Sequence, residues 1–594
     1  MLTNRPAQSP QYGKEIIMRF KARGLVALIM TTTLLGPALF GLGRARSIAE
    51  HSVHRIGQPS DSARMARFET LLESLRQDLK IPAYSAAIVK NQKVIWAKGF
   101  GYADVENKIP ATEHTAYHLA SLTKTFASTI LMQLVQEGKV KLDDPVSKYG
   151  IVLESNGVIK VRHLFSHTSE GNPGEQYHYN GNRFAELDKV IQKAGGKSFA
   201  ELLISNILDP LGMNETAPNV PRTVSTGSPT NTDDGARSGA LVTEKHQQRF
   251  DTVVKILAQP YALDREFKIT KISYPQSFSA SAGLISTVLD MAKYDIAIDQ
   301  NKFLSKETQQ LAFTPTVSTK GETLPYGLGW FTTNYKGTKM LWHYLYWTGN
   351  SSFILKVPEQ KMTFIIMANS DNLSRPTDLG AGNALSSAVG MAFLKTFIFP
   401  EKFGETIPEI NWSAPVAELK KQLNVLSSKP YADIYRTDLV TKVRIFQSVG
   451  RVNDGLPLVR LYGELYSRPM PADLVKLPLV AQIVEVLDNE DKTVPFSLAS
   501  SQEIRIFAIG EGQPGEMFDY GWIEDDKGSR VWEMKEPQTT HAGGAGKNRI
   551  VDAQITLPAG NYKLRYKTDD SHSFDHWNSL PPDINFWGIA VYKK

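Results

Sequence analysis

The chain has 594 residues, 42% hydrophobic and 22% charged, which is a globular composition too long for a single core and speaks against wholesale disorder. Its formal charge of +6 is carried by residues 1–55, where eight basic side chains face only Glu15 and Glu50; the remaining 59 basic and 59 acidic groups cancel, so there is no electrostatic ground for nucleic-acid binding. There is no cysteine, which excludes disulfides, thiolate metal sites, a cysteine nucleophile and a cysteine-linked lipid anchor.

Residues 1–23 form a basic segment that ends in Met18-Arg19-Phe20-Lys21-Ala22-Arg23, and residues 24–43 are almost wholly apolar. A basic stub before an apolar tract predicts export, with residues 24–49 acting as a signal peptide or as a membrane anchor. Small residues at Ser47-Ile48-Ala49 offer a cleavage site, while Arg44 and Arg46 disfavour it. The folded part opens with a helix over 66–80, where Phe68, Leu71, Leu72 and Leu75 recur at helical spacing. Two strand-like runs follow, Ala83–Val89 and Lys93–Gly101, joined by a short turn. A matching pair, Phe353–Val357 and Met362–Ala368, comes much later. Helical patterns fill the space between, from roughly 125 to 285. One sheet built from both ends of a single domain, 66–400, follows from this order.

After a proline-bearing linker, 416–490 reads as a charged helical connector, including LVKLPLVAQIVEVL. From 495 to 594, short β-rich runs are divided by Gly, Pro and Asp clusters, which predicts an all-β sandwich. Its Asp569, Asp570, His572, Asp575 and His576 have no metal-ligand spacing and read as a hydrogen-bonded turn. Its tryptophans read as core, with sugar stacking as the alternative.

The sharpest chemical signal is His118-Leu119-Ala120-Ser121-Leu122-Thr123-Lys124 before an apolar run that ends at Gly138. Ser121 therefore starts a helix and Lys124 lies one turn on, on the same face. A desolvated amine beside a hydroxyl can take its proton during attack, and the helix start favours a developing oxyanion. Ser-x-x-Lys alone is common in helices, so context has to decide.

That context is an ordered series: KVIWAKGFGYAD, YHLASLTKTF, GKVKLDDPVSKY, VRHLFSHTS, YHYNGNRFAEL, SAGLISTVLDMAKY, LPYGLGW and WHYLYWTGNSSFILKVPEQKMTFIIMANS. In these segments, from about Phe68 to Phe399, the chain resembles the serine β-lactamase and penicillin-binding protein superfamily, in its class C β-lactamase, D-alanyl-D-alanine carboxypeptidase and esterase branch. The resemblance implies a three-layer α/β/α domain with a helical insertion, no cofactor, no metal, and an acyl-enzyme on Ser121. It implies Tyr179 as a phenolate facing the nucleophile, with Asn182 standing in for an asparagine that Gly181 replaces. It further implies that His343 lines the site, that Ser121 and Tyr346 supply oxyanion-binding N–H groups, and that Leu345, in place of a glycine, narrows the substrate cleft. His163 and His167 read as structural. A D-amino-acid peptidase or esterase is favoured; a class C-like β-lactamase and a non-catalytic sensor or cell-wall-binding protein are the alternatives.

Overall fold

A computed structural model describes residues 61–219, 244–274, 277–466, 471, 473–543, 545–574, 577, 581–582 and 586–594. The basic segment and the apolar tract 24–43 lie outside the described residues, as do Asp575 and His576. No helix among the described residues is long and apolar enough to cross a membrane.

The amino-terminal hairpin pairs Ala83–Lys90 with Lys93–Asp104 through Asn91 and Gln92, at φ +50° and +61°. A two-residue turn with both φ positive matches the twist of the strands it joins. Met362–Ala368 is continuously apolar and buried because it lies at the middle of the sheet. It pairs with Ala83–Lys90 on one side and with Asn350–Val357 on the other. The order continues outward to Ile109–Pro110 at one edge and, through Thr338–Trp347, to Phe331–Tyr335 at the other. Seven antiparallel strands thus come from the two ends of one domain, meeting at the centre.

Helices cover both faces. On one, Phe68 of the helix Asp61–Asp78 packs on Phe364 and Phe397, with ring centroids 5.5 and 5.2 Å apart. On the other, the helices Thr123–Gln136 and Val288–Asp299 share a core with Leu345, Ile354, Ile365 and Met367. Lys356, on a central strand, is buried and paired with Asp295 and with Asp299, the latter at 2.9 Å. This ties sheet to helix. The expected three layers and helical insertion are present.

The connector differs from expectation in two ways. Its helices Val416–Leu426, Ala432–Ser448 and Val452–Tyr466 are not a separate unit, because Leu419, Tyr431, Ile434 and Leu439 join the same core as Phe364 and Trp342. Lys395 fastens them by bonding Glu409 at 2.7 Å and Asp438 at 2.9 Å. The expected helix over LVKLPLVAQIVEVL is instead the strand Leu479–Ile483, paired with Gly588–Lys593. Pro478 cannot continue a helix, and Val480, Ile483 and Val484 suit a strand. The all-β region therefore begins at 479 rather than 495.

In that region Gln502–Gln513 lies between Asn548–Leu557 and Gly588–Lys593 in one layer. Its hairpin partner, Glu516–Asp525, crosses into a second layer with Gly560–Lys567 and Arg530–Glu533. Ile506, Ile523, Leu564, Trp587 and Val591 belong to its shared core. Trp522 and Trp587 are buried, and Trp532 and Trp577 are half-buried, so the tryptophans serve packing rather than an exposed sugar platform.

Candidate active site

The strand Tyr117–His118 pairs with Leu284–Ser286, and Leu119 N–H donates to the Leu284 carbonyl at 2.7 Å. The chain then passes through Ala120 at φ +24°, a conformation that costs a residue with a Cβ roughly 1–3 kcal/mol. The turn Ala120–Leu122 runs directly into the helix Thr123–Gln136. Ser121 is half-buried at its start.

Lys124 is 1% exposed. Its Nζ lies 3.0 Å from Ser121 Oγ and donates to the Ser281 carbonyl at 2.9 Å. The rings of Tyr179 and Phe184 lie 5.2 and 5.3 Å from the amine. Burial without a carboxylate partner pulls its pKa down to about 7. A large share of Lys124 is therefore neutral at physiological pH. The Ala280-Ser281 turn that receives it is held by Asp188, whose carboxyl accepts Ala280 N–H at 3.0 Å and is pushed up to about 7 by burial.

Tyr179 reaches the same spot from a distant loop. Ser121 lies near enough to favour ionisation of the phenol, yet the two hydroxyls do not bond, and Tyr179 Oη is buried without a partner. Burial raises the phenol far above its ordinary value. Burial, with Tyr344 beside it, thus favours the phenol over the expected phenolate.

The loop register is unshifted. A Cβ on Gly181 would stand 3.9 Å from Lys124 Nζ, so the position of the missing asparagine faces the amine with no side chain on it. Asn182 does not stand in: it is exposed on the short helix Gly181–Ala185, which Asn180 caps by accepting Arg183 N–H at 3.0 Å.

The third element lies on the strand Thr338–Trp347. The two-residue turn Thr348-Gly349 makes Trp347 and Asn350 the closing pair, so the odd-numbered residues His343 and Leu345 exchange bonds with Asn350–Val357. Tyr344 and Tyr346 then turn their N–H and C=O to the opposite edge. There the neighbouring strand's pairing stops at Trp342↔Phe331, leaving the edge beyond it unpaired among the described residues. Tyr346 N–H thus has no strand partner on that side among the described residues.

His343 and Leu345 face the helix layer and are wholly buried. His343 Nδ1 donates to its neighbour's carbonyl, Tyr344 O, at 2.8 Å, so Nε2 is the acceptor for Tyr326 O–H at 2.9 Å. Burial and nearby Lys124 lower it to about 3. It is neutral, and its hydrogen-bonding capacity is taken up by Tyr344 and Tyr326. Leu345 is wholly buried in the core that also takes in Ala120 and Leu122 on either side of Ser121.

Ser281 and Tyr326 lie in two of the segments that carry the resemblance but are not singled out there as site residues, and His167 reads as architecture. His163 does serve architecture, its Nδ1 accepting Lys160 N–H at 3.2 Å at the start of the helix Val161–Phe165. His167 packs its ring 4.3 Å from that of Tyr179.

In the carboxy-terminal region, Glu511, Asp519 and Asp569 bring carboxylate oxygens within 4.8 Å of one another. Lys547 bonds Glu511 at 2.8 Å, and Asp519 accepts Asp569 N–H at 2.9 Å and Trp587 Nε1–H at 3.0 Å. His572 Nε2 meets Asn548 Oδ1 at 2.7 Å, so the Asp569–His572 stretch is a bonded turn.

The Beta-lactamase family profile matches residues 68–388, more than half the chain. Penicillin-binding protein 4* of Bacillus subtilis is 26% identical over 341 residues, covering 51% of this chain and 71% of that protein. Protein flp of Staphylococcus aureus is 27% identical over 350 residues, and the match spans 51% of this chain and 62% of that protein. Among solved structures, the octameric penicillin-binding protein homologue from Pyrococcus abyssi is 26% identical with a TM-score of 0.46, covering 57% of this chain and 81% of that one. FmtA from Staphylococcus aureus is 20% identical with a TM-score of 0.44, covering 57% and 90%. By its matched profile, on the segment that carries Ser121, Lys124 and Tyr179, the chain belongs to the Beta-lactamase family.

Proposed function

We propose that this chain is a serine hydrolase acting through an acyl-enzyme, with a D-amino-acid peptide or ester as its substrate. The observation that carries the reading is the buried Lys124 amine, 3.0 Å from Ser121 Oγ and held by the Ser281 carbonyl, where burial pulls its pKa down to about 7. Ser121 Oγ attacks the carbonyl carbon and its proton passes to neutral Lys124. The N–H groups of Ser121 and Tyr346 hold the oxyanion. Tyr179 gives its phenol proton to the leaving group and recovers one from Lys124. Water then attacks the ester carbonyl, and the proton path runs in reverse to restore Ser121. Neither metal nor organic cofactor takes part in these steps.

Gly181 favours peptide or ester over lactam. It removes a side-chain amide from beside Lys124, where a third positioning group would otherwise hold the substrate. The apolar tract 24–43 supports export, with retention as an anchor or cleavage both compatible, and hence access to cell-wall peptides.

A panel of D-alanyl-D-alanine peptide, p-nitrophenyl esters and a chromogenic cephalosporin, run on wild type and Ser121→Ala, tests this. The expected result is steady turnover of the peptide or an ester that Ser121→Ala abolishes. Cephalosporin turnover alone favours the lactamase alternative. Acylation of Ser121 without release on any substrate supports the sensor reading, for which the bare position at Gly181 is the structural ground.

A further inference from the structure

We propose that His167 is a positioning residue that clamps the tyrosine loop on both sides of Tyr179 and thereby fixes the phenol over Ser121 and Lys124. This rests on the hydrolase reading above.

The clamp is made of two hydrogen bonds that bracket the tyrosine. His178 N–H, one residue before Tyr179, donates to the His167 carbonyl at 2.8 Å. Asn180 N–H, one residue after, donates to His167 Nδ1 at 3.1 Å. Between these bonds the imidazole lies against the phenol, with planes tilted by 30° and centroids 4.3 Å apart. Phe184 and Tyr326 close on the imidazole at 5.3 and 4.8 Å, so the ring cannot move without displacing the loop. His167 holds φ +57°, a left-handed conformation that few residues with a Cβ adopt. The turn after Val161–Phe165 is thus bent to present both carbonyl and ring to the same loop.

Chemistry fixes the tautomer. Because Nδ1 accepts a backbone N–H, the proton of the neutral ring sits on Nε2, which is buried with no partner. Burial, with Lys124 and His343 close by, keeps the ring uncharged. A charged ring would lose the Asn180 bond and place a second cation beside the amine that has to accept a proton. His167 is 2% exposed and has no path to substrate; it works through Tyr179.

Two variants separate this from simple packing. His167→Asn keeps a side-chain acceptor for Asn180 N–H and tolerates the left-handed backbone; His167→Leu keeps volume and loses the acceptor. Thermal melts and titration of reactive Ser121 with a fluorophosphonate give folded, active-site-normalised rates. The expected outcome is a kcat loss of about 100-fold in His167→Leu, as for a misplaced catalytic group, with KM within about twofold, and most of kcat kept in His167→Asn. In a Tyr179→Phe background, His167→Leu should cost nothing further. Equal kcat in the two variants, or losses that add fully to that of Tyr179→Phe, would overturn the clamp and leave the hydrolase reading standing. Absence of both turnover and fluorophosphonate labelling in wild type removes the hydrolase reading first.

Discussion

Lys124 decides the pH at which the site is ready. A neutral amine is required to receive the Ser121 proton, so kcat/KM should rise through about pH 7 and level off above it, following a single deprotonation. Asp188 titrates in the same range but only braces the Ala280-Ser281 turn. A pH–rate profile on Asp188→Asn, which keeps the acceptor oxygen, should retain the limb; its disappearance would assign the limb to Asp188 instead. Tyr179→Phe keeps the ring between His167 and Phe331, at 4.3 and 6.0 Å, and removes only the proton donor. It should fold normally, by circular dichroism, and lower kcat by about 10²–10⁴. At this scale the Ser-x-x-Lys spacing made Ser121 and Lys124 legible, because one helical turn carries both, and Tyr179 came only from the family resemblance. The Ser281 carbonyl and the grip of His167 were not legible, since a backbone oxygen has no signature and a histidine's role depends on the loop it meets.

Among the elements, Thr338–Trp347 does two jobs along its length: up to Trp342 it pairs with Phe331–Tyr335, and beyond it only the Asn350–Val357 side is paired, while Leu341 and Leu345 pack into the helix-side core. Leu345 lies where a glycine was expected and is wholly buried. Truncation there should destabilise rather than open the site: Leu345→Ala should cost about 2–5 kcal/mol through the cavity it leaves, seen as a lower midpoint in denaturant melts. Unchanged stability, with a gain in cephalosporin turnover, would restore the cleft assignment. Hairpins were readable from short turns between β-rich runs. The strand Leu479–Ile483 was misread because apolar residues around Pro478 fit a helical period, and only a partner at the far carboxy end makes them a strand.

In the whole molecule, the connector helices complete the hydrolase core instead of linking two finished domains. Ending the chain near 415 would strip Tyr431, Ile434 and Leu439 from that core and leave Lys395 without Asp438. Such a truncation should be insoluble or melt well below the full chain, whereas one ending near 470 should keep the domain folded; expression and calorimetry of the pair provide the check. The sequence announced the connector's helices but not their burial, because amphipathic faces do not name their partners.

The pairing at the centre of the sheet also has a cost in time. Ala83 N–H bonds the side chain of Asn369 across 286 residues, so the first hairpin emerges from the ribosome long before its neighbour exists. At about 5–20 residues per second the apolar flank of Ala83–Lys90 waits roughly 15–60 s for Met362–Ala368. Contacts this distant slow folding, and the nascent chain has to be kept from pairing with other copies of itself until the second half arrives.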